Sequence, residues 1–316
     1  VQSWHVLALS RDLPRGRTLA RELLDRRIAL YRGMDGRVRA LAARCPHLGA
    51  DLSRGDVVGG ELRCAFHHWR FGGDGAEGAG RAPAFAYPVE ERYGAIWVFS
   101  GPRALFPVPH FPDWERGGEL LAARLAPKVI DCHAHLIASN GLDVEHFRTV
   151  HAFAFAREPV AEEPDPYRVR LRLEVLLRGH NLFEKAVRLL AGERVRAVFT
   201  TWGGNLATAE FEAGPVPVLA VFANRPLRGG RSACETFLLM PRARGALGRL
   251  GADRLALAVA KRITAYILRE DTAVLEGLRF RSPSAQAGSP LSVFIRQVNA
   301  MSVLASEPEA CEAASC

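Results

Sequence analysis

The sequence predicts an α+β protein of two domains, a small antiparallel β domain followed by a larger domain of sheet strands and long helices. Three observations carry this. Short β-favouring runs broken by glycine turns fill residues 1 to about 100. Pro102, Pro107, Pro109 and Pro112 then mark a linker, with a boundary near residue 115. Beyond it, a period-two strand pattern gives way to helical periodicity toward the end of the chain.

In the first domain, Arg27–Arg32, Val38–Ala43, Glu61–Cys64 and Ala95–Ser100 read as strands, separated by glycine pairs and clusters. In the second, Tyr167, Val169, Leu171, Leu173 and Val175 alternate with charged residues, the mark of a half-buried strand. Further strands are expected at Val195–Thr201, Leu206–Phe211, Val216–Ala223 and Glu235–Met240, and a Gly/Arg-rich loop at Arg242–Gly251. Asp253–Leu278 is helical by period, with Val259, Ile263 and Ile267 on one face. A last helix starts with Ser289 as N-cap and Pro290 at its first position, and buries Leu291, Phe294, Ile295 and Val298. The domains expected are thus 1–115 and 116–305, with a tail over 306–316.

The chain of 316 residues has a net charge of +8, almost all of its basic residues being arginine. They are scattered, with no basic run interleaved with aromatics, so a nucleic-acid partner is not expected. Residues 1–20 hold Arg11, Asp12, Arg15 and Arg17, unlike a signal peptide. No stretch reaches the roughly 18 apolar residues of a membrane span. A cytoplasmic location is expected, and six unevenly spaced cysteines point to metal binding before disulfides.

Cys45-Pro46-His47 is followed, sixteen residues on, by Cys64-Ala65-Phe66-His67. Two thiolates and two imidazoles can hold a structural zinc ion or an iron–sulfur cluster with cysteines on one iron and histidines on the other. Each half supplies one Cys and one His, whereas a zinc finger more often pairs its cysteines first.

The second pattern runs Asn140-Gly141-Leu142-Asp143-Val144-Glu145-His146, then His151. Asp143 and His146 share a helix face. His151, five residues on, would lie about 140° away on a regular helix, so the helix must end, tighten or bulge for both imidazoles to meet one metal. Asp271 follows Ile267 at four-residue spacing on an apolar face, where a carboxylate needs a salt bridge or a metal. Two histidines and a carboxylate make the facial triad of non-haem iron(II) oxygenases. Phe147, Val150, Phe153 and Phe155 beside this motif could line an apolar pocket or form core. Cys132, His133 and His135 read as a strand with a structural or exposed role, Glu145 as solvated, and Cys234, Cys311 and Cys316 have no partner pattern.

The runs Cys-Pro-His-Leu-Gly-Ala, Leu-Arg-Cys-Ala-Phe-His-His-Trp-Arg-Phe and Gly-Asp-Gly resemble the Rieske domain of ring-hydroxylating oxygenases, and the Asn140, Asp143, His146, His151 series resembles their catalytic domain. Two positions depart from the usual pattern: Ala65 stands for a common proline and His68 for a common glycine. The resemblance implies a [2Fe-2S] cluster on Cys45, His47, Cys64 and His67. It also implies mononuclear Fe(II) on His146, His151 and Asp271, in a helix-grip (START/Bet v 1-like) catalytic domain. Asp143 is implied as the bridge between His146 and the cluster ligand His67 of a neighbouring subunit, hence a homotrimer, with Asn140 a nearby polar residue. It further implies O2, a separate NAD(P)H-dependent reductase or ferredoxin, and a bulky, largely apolar natural product or sterol-like substrate, oxidised by monooxygenation rather than arene cis-dihydroxylation. An electron-transfer Rieske protein and a zinc-stabilised lipid-binding protein are the rivals; the first needs no second metal site, and the second would be colourless. No Gly-x-Gly-x-x-Gly motif follows a strand, so the nicotinamide is expected on the partner.

Overall fold

The computed structural model describes residues 1–116, 118–177, 185, 188, 192–212, 217–242, 251–279 and 288–301. The expected tail and most of the Gly/Arg-rich loop lie outside these residues. Their contacts divide them into two compact units, Val1–Val108 and Pro109–Met301.

The first unit has ten strands: β1 (Trp4–Leu9), β2 (Thr18–Leu23), β3 (Arg26–Arg32), β4 (Val38–Ala42), β5 (Asp56–Val58), β6 (Glu61–Arg63), β7 (Arg70–Phe71), β8 (Ala86–Tyr87), β9 (Val89–Arg92) and β10 (Ala95–Phe99). They form three antiparallel sheets, ordered β1-β10-β9, β2-β3-β4-β8 and β5-β6-β7. β2, Thr-Leu-Ala-Arg-Glu-Leu, carries helix-favouring residues and was not expected as a strand; its pairing with β3 along its whole length overrides that propensity. Alternate residues of β3 and β4 supply two cores. Ile28, Leu30 and Ala40 face one; Ala29, Tyr31 and Leu41 face the other, which also contains Leu62, Phe71, Cys45 and Cys64. The two cysteines are therefore anchored in packed interior, which fixes the loops that follow them.

The second unit is a nine-stranded antiparallel sheet with helices. Its elements are α1 (Pro112–Glu115), β11 (Leu120–Arg124), β12 (Lys128–Ile130), α2 (Ala134–Ser139), α3 (Val144–Thr149), β13 (Ala154–Phe155), β14 (Ala161–Asp165), β15 (Arg168–Leu176), β16 (Arg194–Trp202), β17 (Leu206–Glu212), β18 (Val218–Pro226), β19 (Ser232–Pro241), α4 (Ala252–Leu275) and α5 (Pro290–Ala300). The order is β11-β19-β18-β17-β16-β15-β13, with β12 added on β19 and β14 on β15. This is the α+β layout expected, an antiparallel sheet with a long helix near the C-terminus. The alternation read in β15 is real: Val169, Leu171, Leu173 and Val175 are buried, and their neighbours are not. Ser289 caps α5 by accepting the Ser292 N–H, with Pro290 opening the helix.

One core joins β15 and β16 to Leu142, Val144 and Phe147 and to Phe294 of α5. A second joins Ala209, Ala220 and Leu238 of the sheet to Leu257 and Ala260 of α4. Two readings need correction. Val259 is 42 % exposed; the buried stripe of α4 runs through Leu257, Ala260, Asp271 and Leu275. Cys132–His135 is not a strand, because α2 begins at Ala134 with His133 as its N-cap.

Candidate metal centres

Each cysteine of the first unit opens a loop of the same construction. The Cys45 N–H donates to Ala50 C=O (2.8 Å) and the Gly49 N–H returns to Cys45 C=O (2.8 Å). In the second loop the Cys64 N–H donates to Trp69 C=O (2.8 Å) and the His68 N–H returns to Cys64 C=O (3.1 Å). Gly49 (φ 75°) and His68 (φ 56°) occupy the equivalent left-handed position four residues after each cysteine. That is why glycine suits the place His68 takes, and why a side chain there carries strain.

The loops set the two histidines side by side at the surface, ring centroids 4.6 Å apart. Cys45 and Cys64 lie beneath, 3 % and 2 % exposed. His47 stacks on Trp69 at 4.4 Å and 8°, and the Arg81 guanidinium covers the indole. Burial pushes the Cys45 thiol up, so a thiolate here needs a compensating cation. Buried sulfurs below paired, exposed imidazoles fit a cluster that Cys45 and Cys64 would hold from the interior and His47 and His67 from the surface.

In the second unit, α3 ends at Thr149 and Ala152 turns the chain with φ 54°. The Phe153 N–H then returns to Phe147 C=O (3.0 Å). The helix thus ends between the two histidines, meeting the demand set by their five-residue spacing. His146 Nε2 and His151 Nε2 stand 3.2 Å apart, and each lies 3.0 Å from Asp271 Oδ1. His146 and Asp271 are buried, at 8 % and 9 % exposure. Burial alone would raise the Asp271 carboxyl; the two imidazoles outweigh it and bring it down to about 2. Its partners are imidazoles, not the arginine of the salt-bridge alternative.

Hydrogen bonding alone does not satisfy this cluster. Asn140 Nδ2 also lies 3.2 Å from His146 Nε2, so three polar groups converge on an atom that has either one proton or one lone pair. Two imidazoles both donating to Asp271 would set like dipoles face to face. A cation resolves the conflict: ligand atoms about 2.1 Å from one ion and at right angles to each other are about 3.0 Å apart. The three residues fit a mononuclear metal, their donor atoms all lying within 4.8 Å of one another.

Asp143 caps α3, its Oδ1 accepting the backbone N–H of His146 (3.1 Å). Glu145 is exposed and paired with Arg148. Phe147 packs with Phe153 and Phe199 in the core rather than lining an open pocket. Two residues escaped the sequence reading. Glu270 lies with its carboxylate 3.6 Å from His151 Nδ1, and adjacency to Asp271 was the available signal. Trp69, the stacking partner of His47, lay inside the second loop motif.

The Rieske [2Fe-2S] domain family matches this chain over residues 3–88, a span that contains all four cluster candidates and decides for the cluster over zinc. The vanillate O-demethylase oxygenase subunit of Pseudomonas sp. (strain HR199 / DSM 7063) is 35 % identical over 182 residues, 53 % of this chain and 49 % of that protein. The 3-ketosteroid-9-alpha-monooxygenase oxygenase component of Rhodococcus rhodochrous is 30 % identical over 169 residues, 49 % of this chain and 44 % of that one. The matched stretch thus spans about half the length of these relatives. The crystal structure of dicamba monooxygenase bound to dicamba superposes with a TM-score of 0.66 at 21 % identity, covering 94 % of this chain and 96 % of that one. No helix among the described residues is long and apolar enough to cross a membrane. Residues 3–88 thus belong to the Rieske [2Fe-2S] domain family, and the chain shares the fold of dicamba monooxygenase.

Proposed function

We propose that this chain is the oxygenase component of a multicomponent Rieske non-haem iron system. It takes electrons from a separate NAD(P)H-dependent reductase or ferredoxin and uses O2 to hydroxylate or otherwise oxidise a bulky, largely apolar substrate. The observation that carries this is the triangle of His146, His151 and Asp271, with sides of 3.0 to 3.2 Å. An electron carrier with a Rieske domain alone has no use for it.

Iron held there by His146, His151 and Asp271 would supply redox and Lewis-acid chemistry. The chain's own residues do the rest. Cys45, His47, Cys64 and His67 hold the cluster, and Asp271 sets the two imidazoles edge to face. Asn140 lies against His146 and also borders an adjoining cavity, so its amide meets whatever approaches from that side. We assign Asp143 the bridge between His146 and His67 of a second copy, within a homotrimer; its place as cap of α3 holds its carboxylate beside His146. The reading includes a cytoplasmic location, where free Cys132 and Cys234 stay reduced.

The test is a substrate screen with a surrogate ferredoxin and reductase under 18O2, with products read by mass spectrometry. A brown protein that yields 18O-labelled product supports the proposal. A colourless, zinc-loaded protein, or a cluster that cycles electrons with no labelled product from any substrate, sinks it.

A further inference from the structure

His151 lies on irregular backbone, past the end of α3 at Thr149 and just before the left-handed turn at Ala152. No helix fixes its ring, whereas His146 sits within α3 and has its N–H held by Asp143 (3.1 Å). The orientation of His151 must therefore come from what touches its side chain, which is only 5 % exposed. The ring packs against Phe153, centroids 5.4 Å apart at 30°. Its two nitrogens meet consecutive carboxylates of α4: Nε2 is 3.0 Å from Asp271 Oδ1, and Nδ1 is 3.6 Å from Glu270 Oε2. Successive residues of a helix point about 100° apart. Asp271 thus turns inward to the triangle, while Glu270, its side chain 40 % exposed, reaches the opposite edge of the same ring from the rim.

A neutral imidazole that ligates a cation through Nε2 carries its proton on Nδ1. That N–H is shielded from water, and a buried donor needs an acceptor. The Glu270 carboxylate is the acceptor the fold places there. At 3.6 Å the pair stands just beyond hydrogen-bond length, a gap that a half-exposed glutamate has the torsions to close. A carboxylate behind a ligating imidazole fixes its tautomer and makes it a more basic ligand. It also offsets the charge of a divalent ion that Asp271 alone leaves half balanced.

Resting on the reading of His146, His151 and Asp271 as a mononuclear metal site, we propose that Glu270 is a positioning residue for the metal. It accepts the Nδ1–H of His151 and so holds Nε2 toward the ion. The two imidazoles are then set in different ways, His146 through its backbone and His151 through a carboxylate at the rim.

Anaerobic protein with its cluster intact and oxidised tests this, its mononuclear site emptied by chelation and refilled with Co(II). Affinity is read by competition with a chromophoric chelator. The ring N–H protons are read as the shifted, exchangeable proton NMR signals that appear on Co(II) addition, two in the wild type. Glu270→Gln should weaken Co(II) about 10-fold, and should shift or broaden one of the two signals and leave the other. Glu145→Gln removes the same charge at an exposed position beside His146. It should keep affinity within about 2-fold and both signals in place. The proposal is overturned if Glu270→Gln binds Co(II) as the wild type does, if both signals shift alike, or if Glu145→Gln weakens binding as much. Failure of the wild type to take up Co(II) would defeat this proposal and the metal-site reading together. Co(II) binding that depends on Glu270, in a protein whose iron form gives no labelled product under 18O2, would defeat the oxygenase reading alone.

Discussion

His146 and His151 present their Nε2 atoms to each other at 3.2 Å, rings nearly perpendicular at 89°, although five residues of chain separate them. The meeting depends on the end of α3 at Thr149 and on the left-handed turn at Ala152. Asp271, from the far end of the sequence, closes the triangle.

Asp271→Ala should therefore empty the second metal site and spare the first. Iron per chain should fall by about a third, with acid-labile sulfide and the visible spectrum unchanged. Equal loss of iron and sulfide would show that Asp271 supports the fold rather than a mononuclear ion.

The cap that Asp143 forms and the bridge proposed for it are separable. As N-cap of α3 it accepts the His146 N–H at 3.1 Å, and asparagine caps nearly as well. Asp143→Asn should keep Tm and both metals yet slow cluster reoxidation by O2 and substrate about 10–100-fold. Asp143→Ala should in addition cost about 1 kcal/mol of stability. Stopped-flow bleaching and thermal melts separate the two effects; reoxidation at the wild-type rate in the asparagine variant would refute the bridging role.

How far the sequence could be read depended on locality. The four residues proposed for the cluster lie in two short runs that declare themselves by residue type, and the structure adds that His68 sits where the first loop uses Gly49. The cluster of His146, His151 and Asp271 joins residues 120 positions apart, and its third member is legible only through a helix stripe that includes Val259, which turns outward. The misread strand at Cys132–His135 had a physical cause as well. Four residues are too few to tell a period of two from a capped helix start, and the capping imidazole of His133 is not among the usual cap signals.

Burial pushes the His135 imidazole down from 6.5 to about 4. Between these values the unfolded chain binds a proton that the folded chain refuses. The fold is thus fully stable, as far as this group matters, above pH 6.5, and loses about 2–3 kcal/mol as pH falls toward 4. Urea midpoints at pH 7 and pH 4.5 measure the loss, and His135→Phe should shrink it. An unchanged difference between the two pH values would show that His135 takes up its proton without opening the fold.

Gly141 tests whether packing behind the metal site sets its geometry. It sits in the turn Asn140–Leu142 that carries Asn140 and leads to Asp143. A Cβ there would lie 2.9 Å from Phe199 Cδ1, and Phe199 is itself wedged between Phe147 and Phe211 at 5.2 and 5.6 Å. The ring has little room to yield, so Gly141→Ala should cost about 1–3 kcal/mol and release the mononuclear metal faster. Phe199→Leu frees space on the same side and should cost about 1 kcal/mol alone. Because the two side chains would collide, the double variant should be more stable than the sum of the single losses implies, with metal retention partly restored. Additivity within about 0.5 kcal/mol would mean that the turn moves independently of the aromatic cluster. In that case the position of Asn140 against His146 would have to be set from the α2 side.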